Sequence, residues 1–428
     1  MSRSHRTRPF TLSGNRKHLD DGEYVTPGPR IASVHALLRL FPATSIVLAP
    51  YLALILPVAI VNSNPDLVFI WRLLGIAAGG SLLAETVIAV IRRSAAREVR
   101  PLDLSFGRPL RQLTLAVTAV SVFASLTYII TGAGSVASQI AELAPSVIAS
   151  ISTLFAAWNL FAAGLIFASY FASVFTRKQM LAGIAILVLL ELIEAAVSTR
   201  VGSLIQFITP LALTALLLGV VRLRTLAAGF LLIALIWPLA FQLRNEMREG
   251  SGVAVDTSVS AFDRLRFDEQ LAKAGLFDVP LEIGQPGLAE IVRYGLVPRA
   301  LDPDRDTISS GLLLNQAIGG STTSAYNFLS IGTIYVFYGP IVLFAFYALS
   351  ALVVSLSFTA ARRGSPIAIC MSLLGASSLL GWASTFPDAL IGYLQALVSF
   401  VPIAVSLHLI RAKARREARE SPAVLEGS

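Results

Sequence analysis

The sequence predicts an all-α membrane protein with about ten transmembrane helices, both termini in the cytoplasm and one long external loop that carries short helices. Hydrophobic residues make up 55% of the 428 positions, charged residues only 14%, and the mean hydropathy is +0.72. These values lie far outside the soluble globular range. The apolar residues fall into runs of span length, and arginine and lysine cluster in alternate connections between the runs.

The apolar runs define the order of the spans. Within hydrocarbon every backbone amide must bond inside its own segment, so each run of about 20 residues predicts one helix. A polar stretch divides the runs into a bundle of seven in 44–243 and a bundle of three in 326–410. The runs are 44–62, 67–91, 113–131, 147–175, 179–198, 202–221, 225–243, 326–358, 365–383 and 389–410.

The positions of the basic residues predict the orientation. Cytoplasmic connections retain arginine and lysine, which puts both termini inside and residues 244–325 outside. Residues 1–43 are predicted as a cytoplasmic tail that ends in an interfacial helix, IASVHALLRLF, and residues 411–428 as a basic cytoplasmic tail. The net charge of +8 then belongs to cytoplasmic loops, and no nucleic-acid partner is expected. The inside positions include Arg92, Arg93, Arg97, Arg100, Arg108, Arg111, Arg177, Lys178, Arg222, Arg224, Arg362 and Arg363.

The external loop is predicted to contain short helices and a rigid turn. Ser260 and Asp263 have the spacing of a capping box, which predicts a helix that ends near Gly275. Pro286 and the apolar face ahead of Gly295 predict a second helix. The sequence VPRALDPDRD places prolines among charges and predicts a rigid turn. The apolar GLLLNQAIGG that follows is too short to span and is expected to dip into the membrane edge.

Four arginines on the predicted external side are candidates for an anion site. Arg200 lies in a short external turn where a positive charge is disfavoured, so it either snorkels to headgroup phosphates or holds a lipid-linked diphosphate. Arg244 either anchors the seventh run or joins the same site. Arg299 and Arg305 lie among aspartates in the proline-stiffened turn, where surface ion pairing is the alternative. Four guanidinium groups on one face favour the anion site.

The acidic residues of the turn allow two further interpretations. Asp302 and Asp304 could bind a divalent metal, but the interposed proline and arginine favour internal pairing, so no metal is expected. One of Asp302, Asp304 and Glu290 could instead be the general base for a sugar hydroxyl. Cys370 is the only cysteine and the histidines do not cluster, so neither a disulfide nor a zinc site is expected.

Two carboxylates are predicted inside the membrane. Glu191 and Glu194 lie three residues apart in the fifth run and should face the bundle interior, because a charge in lipid is costly. They form either a proton relay or, for Glu194, an ion pair with Arg200. The ion pair is the favoured interpretation.

Several short motifs of the chain resemble those of the bacterial oligosaccharide repeat-unit polymerases (the Wzy-type O-antigen and exopolysaccharide polymerases) and the related O-antigen ligases. The order of spans around a late external loop is similar, although Arg305 stands where a lysine is frequent in that family. The run GGSTTSAYNFLSIGTIYVFYGP resembles a segment that re-enters the membrane. The other matching pieces are STR ending at Arg200, LRN at Arg244 and Asn245, and VPR at Arg299 with DPDRD beyond it.

The resemblance implies a glycosyltransferase of the inner (plasma) membrane that polymerises polyprenyl-diphosphate-linked oligosaccharide repeat units at the outer face, without a metal or other cofactor. Its partners would be the lipid-linked oligosaccharide, membrane lipid and other polysaccharide-assembly proteins. Asp304 or Asp302 would assist deprotonation of the acceptor. The diphosphate leaving group would be stabilised by Arg200, Arg244, Arg299 and Arg305. The candidate substrate-binding residues are Asn245, Tyr294, Asn315 and Tyr326.

Two alternative functions remain. A transporter or flippase of lipid-linked glycans, without covalent chemistry, would place charges and broken helices at mid-membrane. An O-antigen-type ligase would share the fold, but ligases tend to carry a histidine in the external loop, and this loop has none.

Overall fold

The computed structural model describes residues 38–94, 107–131, 155, 157–198, 201–250, 260–281, 286–297, 302, 310–320 and 326–420. All regular secondary structure in these residues is helical. Among these residues, six helices are long and apolar enough to cross a membrane, which indicates a helical membrane protein. They are Pro42–Val61, Leu67–Ile91, Gly107–Thr131, Arg177–Val197, Leu329–Arg362 and Asp388–Ala414.

The helices belong to the compact unit from Phe41 to Ser428. In chain order they are α1 Pro42–Val61, α2 Leu67–Ser94, α3 Gly107–Thr131, α4 Trp158–Phe171, α5 Arg177–Ser198, α6 Val201–Leu217, α7 Leu223–Gly250, α8 Phe267–Ala272, α9 Leu288–Leu296, α10 Ser310–Ala317, α11 Leu329–Arg362, α12 Pro366–Leu374 and α13 Asp388–Glu420. A wide π-helical turn interrupts α1 at Tyr51–Ile55, and another, Gly375–Leu379, extends α12.

The helix bounds test the predicted spans. The six spanning helices correspond to the first, second, third, fifth, eighth and tenth apolar runs, whereas α7, which contains the seventh, is not among them. The predicted count of ten spans is therefore not confirmed. Residues 147–154 and 156 of the fourth run lie outside the described residues. The fourth, sixth and ninth runs contain shorter apolar helices at Trp158–Phe171, Leu204–Leu217 and Pro366–Leu379.

The helix α4 lies in the core of the bundle and packs against α3, α5 and α12. Most of its residues are buried, so it does not need the length of a lipid-exposed span. Gly164 permits the close approach of α12, because a Cβ there would lie 2.8 Å from Sγ and 2.9 Å from Cα of Cys370. Small residues allow such contacts between membrane helices, where packing replaces the hydrophobic effect as the source of stability.

A buried carboxylate joins three helices. Glu85 of α2 accepts hydrogen bonds from the backbone N–H groups of Ala43, at 2.8 Å, and Thr44, at 3.1 Å, and from the Thr44 hydroxyl at 2.7 Å. The hydroxyl of Ser355 in α11 donates a fourth bond. The first N–H groups of a helix lack partners within the helix and carry partial positive charge, so Glu85 stabilises the start of α1 from outside.

A second buried polar cluster lies between α3, α4 and α5. Asn159 donates from Nδ2 to Oε1 of Glu191 at 2.5 Å and to the hydroxyl of Ser125 at 3.2 Å, and its Oδ1 accepts from Ser121. The prediction that Glu191 faces the bundle interior is confirmed. Glu194, one helical turn further along α5, is half-buried. Its predicted ion pair stays a prediction, because Arg200 lies outside the described residues.

One helix is broken within an apolar run, and the backbone between two other helices is irregular. In α11, Gly339 has φ 80° and ψ 178°, and Pro340 follows. That φ favours glycine, and proline lacks the N–H of a regular helix, so the pair divides α11 into two parts. The backbone between α12 and α13 is irregular but largely buried at 380–387. Such backbone needs hydrogen-bond partners inside the protein.

Candidate functional site

The irregular segment 380–387 meets the start of α11 at one end of the bundle. The N–H of Ser330 in α11 donates to the carbonyl of Trp382 at 3.1 Å. The carbonyl of Ala383 accepts two amide bonds, from Asn327 at 2.7 Å and from Gln206 of α6 at 3.1 Å. These bonds satisfy the irregular backbone without a regular helix. We call this end the loop end, defined by the turn 62–66, the segments 326–328 and 380–388, and the side chains of Gln206 and Lys273 that contact them.

The start of α8, in the predicted external loop, binds to the loop end. Asp268 of α8 is fully buried and accepts a bond at 2.8 Å from Asn64 in the turn between α1 and α2. Arg266 donates to both oxygens of Asp268, at 2.9 and 3.0 Å. Burial raises the pKa of Asp268, but the bonds from Arg266 and Asn64 outweigh it, so the pKa lies below the ordinary value. The ring of Phe267 also contacts Trp382, edge to face at 5.0 Å.

The predicted capping box is confirmed at the start of this segment. The N–H of Ser260 donates to Oδ2 of Asp263 at 3.0 Å, and the N–H of Asp263 donates to the Ser260 hydroxyl at 3.1 Å. The bonds from Ser260 lower the pKa of Asp263. The helix is not continuous, because Arg266 has a non-helical ψ of 58°. It is divided into a 3₁₀ turn, Asp263–Leu265, and α8 with a further 3₁₀ turn to Leu276.

A carboxylate at the start of α13 binds to both the loop and the bundle. The hydroxyl of Ser310 in α10 donates to Oδ1 of Asp388 at 3.3 Å, and that of Thr385 donates to Oδ2 at 2.9 Å. No ion pair of Asp388 occurs among the described residues. The N–H of Tyr326 donates to the carbonyl of Gly311 at 2.8 Å, which attaches α10 to the segment before α11.

A cation lies beside the same segment. The ammonium of Lys273 is 4.7 Å from the centre of the Tyr326 ring. Burial raises the pKa of Tyr326, and the neighbouring Lys273 opposes that shift. The described part of the loop end therefore carries a carboxylate, an ammonium, two side-chain amides and several hydroxyls, which are groups that bind sugars and phosphates.

Among the predicted catalytic residues, the structure describes the side chain of Asp302. Its Oδ1 accepts a hydrogen bond from Arg293 of α9, whereas its buried Oδ2 has no partner among the described residues. The backbone of Arg244 lies within α7, which continues to Gly250, so the loop begins later than the sequence predicts. The side chain of Arg244 lies outside the described residues, as do Arg200, Arg299, Arg305 and Asp304.

Two of the predicted substrate-binding residues are connected through α10. Asn315 lies in α10, and Tyr326 bonds to the same helix through Gly311. Tyr294 lies on α9, where it is buried, and its carbonyl accepts a bond from Gln395 at 3.1 Å. Asn245 is half-buried in α7. The structure thus places Tyr294 and Asn245 on helices separate from the α10 pair.

Four polar residues of the loop end were not predicted from the sequence: Gln206, Lys273, Asn327 and Asp388. Asp388 had one available signal, since an acidic residue follows Pro387 directly before the last apolar run. The others lack a local signal, because their role depends on partners distant in sequence. Among the described residues, no group of three histidine, cysteine, aspartate or glutamate side chains has metal-site geometry.

No family model, curated protein or solved structure matches this chain.

Proposed function

We propose that the chain is a membrane glycosyltransferase that polymerises polyprenyl-diphosphate-linked oligosaccharide repeat units at the outer face of the cytoplasmic membrane. Both termini would lie in the cytoplasm and the loop end would face outward. The observation that carries the proposal is the Ser310–Asp388–Thr385 cluster, where the loop and a spanning helix share one carboxylate. A lipid-linked substrate presents its diphosphate and sugars at this boundary, while its polyprenyl tail stays in the membrane.

The arginines supply the positive charge that the reaction requires. Arg200 directly precedes α6, and Gln206 of that helix bonds to Ala383 at the loop end. Six residues of helix extend about 9 Å, so Arg200 is within reach of this end. Arg299 and Arg305 are each three residues from Asp302, which binds α9. Three residues of extended chain reach about 11 Å, so each arginine is connected to Asp302 by at most that length. These connections support a common anion site.

The reaction forms one glycosidic bond and breaks one sugar–phosphate bond. A hydroxyl of one lipid-linked unit attacks the anomeric carbon of the donor glycan, and the bond from that carbon to the diphosphate oxygen breaks. The electron pair leaves with the diphosphate, whose charge is stabilised by guanidinium groups without a metal. The hydroxyl proton passes to a carboxylate. Asp302 and Asp304 are the predicted bases, and Asp388 is a third candidate.

The test compares single substitutions in cells that lack the gene. Arg200→Ala, Arg200→Lys, Arg299→Ala and Arg299→Lys are expressed at matched levels, and glycan chain length is measured. We expect loss of polymer while single repeat units are still exported. Arg224→Ala is the control, since Arg224 is exposed in the described structure and lies in a predicted cytoplasmic connection. Polymer of normal length in all four variants would refute the arginine site.

A transporter of lipid-linked glycans is the second candidate, favoured by the buried Glu191–Asn159 cluster within the membrane. In that case, cells without the gene would retain repeat units on the cytoplasmic side. A ligase would instead leave finished polymer unattached to its final acceptor. The location and length of the glycan in the deletion strain thus separate the three functions.

A further inference from the structure

The helix α9 has three distinct faces. Ile291, Tyr294 and Gly295 are buried, and α9 packs against α13. A Cβ at Gly295 would lie 2.6 Å from Leu394, so the two helices approach closely. The bond from Gln395 to the Tyr294 carbonyl holds this contact.

The exposed surface of α9 is itself divided. Leu288, Val292 and Leu296 are exposed by 72%, 41% and 47%. At about 100° per residue these three side chains fall within about 80° of the helix circumference. Glu290 and Arg293 are also exposed but centre about 130° away from that stripe. Separation of apolar and charged side chains around an exposed helix is typical of a helix at a membrane surface.

The contact with α13 determines how deeply α9 lies in the membrane. From Ala389 to Ile410, α13 contains no Asp, Glu, Lys or Arg. That stretch is about 33 Å long at 1.5 Å per residue, close to the ~30 Å thickness of bilayer hydrocarbon. Leu394, the contact of Gly295, follows Asp388 by about 9 Å along the helix, inside the apolar stretch.

The helix that α9 packs against, α13, also exposes apolar side chains. Val398 and Val401 of α13 are exposed on a spanning helix, at 43% and 55%, and a membrane protein exposes such residues to acyl chains. Val398 lies one helical turn beyond Leu394. The contact between α9 and α13 is thus about one helical turn from side chains that would face acyl chains.

We propose that α9 is an interfacial helix that inserts Leu288, Val292 and Leu296 among the acyl chains of the adjacent leaflet, with Glu290 and Arg293 at the headgroups. The inference does not depend on the glycan chemistry. It does have a structural consequence, because Arg293 binds Asp302. Asp302 is then held close to the lipid surface.

The test attaches a nitroxide to single cysteines in vesicles of phosphatidylethanolamine and phosphatidylglycerol. Cys370 is fully buried, so the wild-type chain serves as the unlabelled control. Leu288→Cys, Val292→Cys and Leu296→Cys probe the stripe, and Glu290→Cys probes the opposite face. Val401→Cys is the lipid reference and Asp278→Cys, at an exposed loop residue, is the water reference.

Collision of each label with oxygen and with a water-soluble nickel chelate is then measured. We expect an oxygen-to-nickel ratio in the stripe at least about threefold above that of Glu290→Cys, because water-soluble reagents are excluded from hydrocarbon. The ratio should resemble that of Val401→Cys. Nickel access equal to that of Asp278→Cys would overturn the proposal. Protection from both reagents would also overturn it, since a second copy or another protein would then cover the stripe.

Discussion

Ser310 donates a hydrogen bond to Asp388 at 3.3 Å across 78 positions of the sequence. Ser310 belongs to α10, within the predicted external loop, and Asp388 begins the spanning helix α13. Thr385 binds the other carboxylate oxygen at 2.9 Å. One side chain therefore fixes the loop to the bundle and presents a charge at the boundary where a lipid-linked substrate would bind.

We expect Asp388→Asn to lower polymer formation about 100-fold if this carboxylate is the base, since an amide does not accept the hydroxyl proton. Ser310→Ala should have a smaller effect, because the carboxylate and its bond to Thr385 are retained. The measurement is glycan chain length in cells, together with the rate of polymer synthesis by purified protein in vesicles.

Asp278→Asn is the control for Asp388→Asn, because Asp278 is an exposed carboxylate in the described part of the same loop. The thermal unfolding midpoint of Asp388→Asn should stay near that of the wild type, which separates loss of chemistry from loss of fold. Normal polymer synthesis by this variant would exclude Asp388 as the base and leave Asp302, Asp304 and Glu290.

Docking of the loop through Asp268 should depend on pH. Because bonds from Arg266 and Asn64 hold its folded-state pKa below the ordinary value of 3.8, the carboxylate stabilises the fold at higher pH. That contribution is lost as pH falls through the folded pKa. Asp268→Asn should therefore cost about 2 kcal/mol at pH 7, and the difference from wild type should shrink below about pH 4.

The measurement for Asp268 is the unfolding midpoint of detergent-solubilised protein from pH 7 down to pH 3. Asp263→Asn provides a comparison, since Asp263 also has a lowered pKa but is exposed and caps only a local turn. A constant difference between Asp268→Asn and wild type across this range would contradict the proposed linkage.

The sequence predicts the helical elements well because lipid enforces a simple rule. Each apolar run contains helix, since an amide in hydrocarbon bonds only within its own segment. The capping box at Ser260 and the helix before Gly295 are also local patterns, and both are found. The number of full spans is less predictable, because a buried short helix such as α4 is as apolar as a long one.

The helix breaks and the polar cluster are not local properties. The run 326–358 has uniform hydropathy, and only the Gly339–Pro340 pair marks its division. From the sequence, Asp388 marks only the boundary of a span. Its contact with Ser310 depends on the fold, because the two residues are distant in the sequence. Of the predicted catalytic side chains, the structure describes that of Asp302, and the four arginines stay predictions.

Close packing of α4 and α12 predicts that Gly164→Ala is destabilising. The new Cβ would lie 2.9 Å from Cα and 3.2 Å from N of Cys370, and backbone atoms cannot move aside as a flexible side chain can. We expect a loss of about 1–3 kcal/mol, typical of overpacking. The measurement is the unfolding midpoint in detergent.

Gly75→Ala is the matched control for Gly164→Ala, because Gly75 also lies in a membrane helix but has no packing neighbour within 4 Å of the position that a Cβ would take. That change should be neutral or stabilising by up to about 1 kcal/mol. Adding Cys370→Ala to Gly164→Ala should not restore stability, since the backbone contact remains. Full restoration would show that only the sulfur atom limits the approach.

Replacing the buried carboxylate Glu85 should weaken the start of α1. In Glu85→Gln one oxygen becomes an NH₂ donor that faces the donating N–H group of either Ala43 or Thr44. We expect a cost of about 2–4 kcal/mol, because buried donors lose their acceptor. Ser355→Ala removes one of the bonds and should cost about 1 kcal/mol.

Arg72→Gln, an exposed change on the same helix, should shift the unfolding midpoint little. If Glu85→Gln is as stable as Arg72→Gln, the carboxylate does not stabilise the helix start, and α1 is held by packing alone.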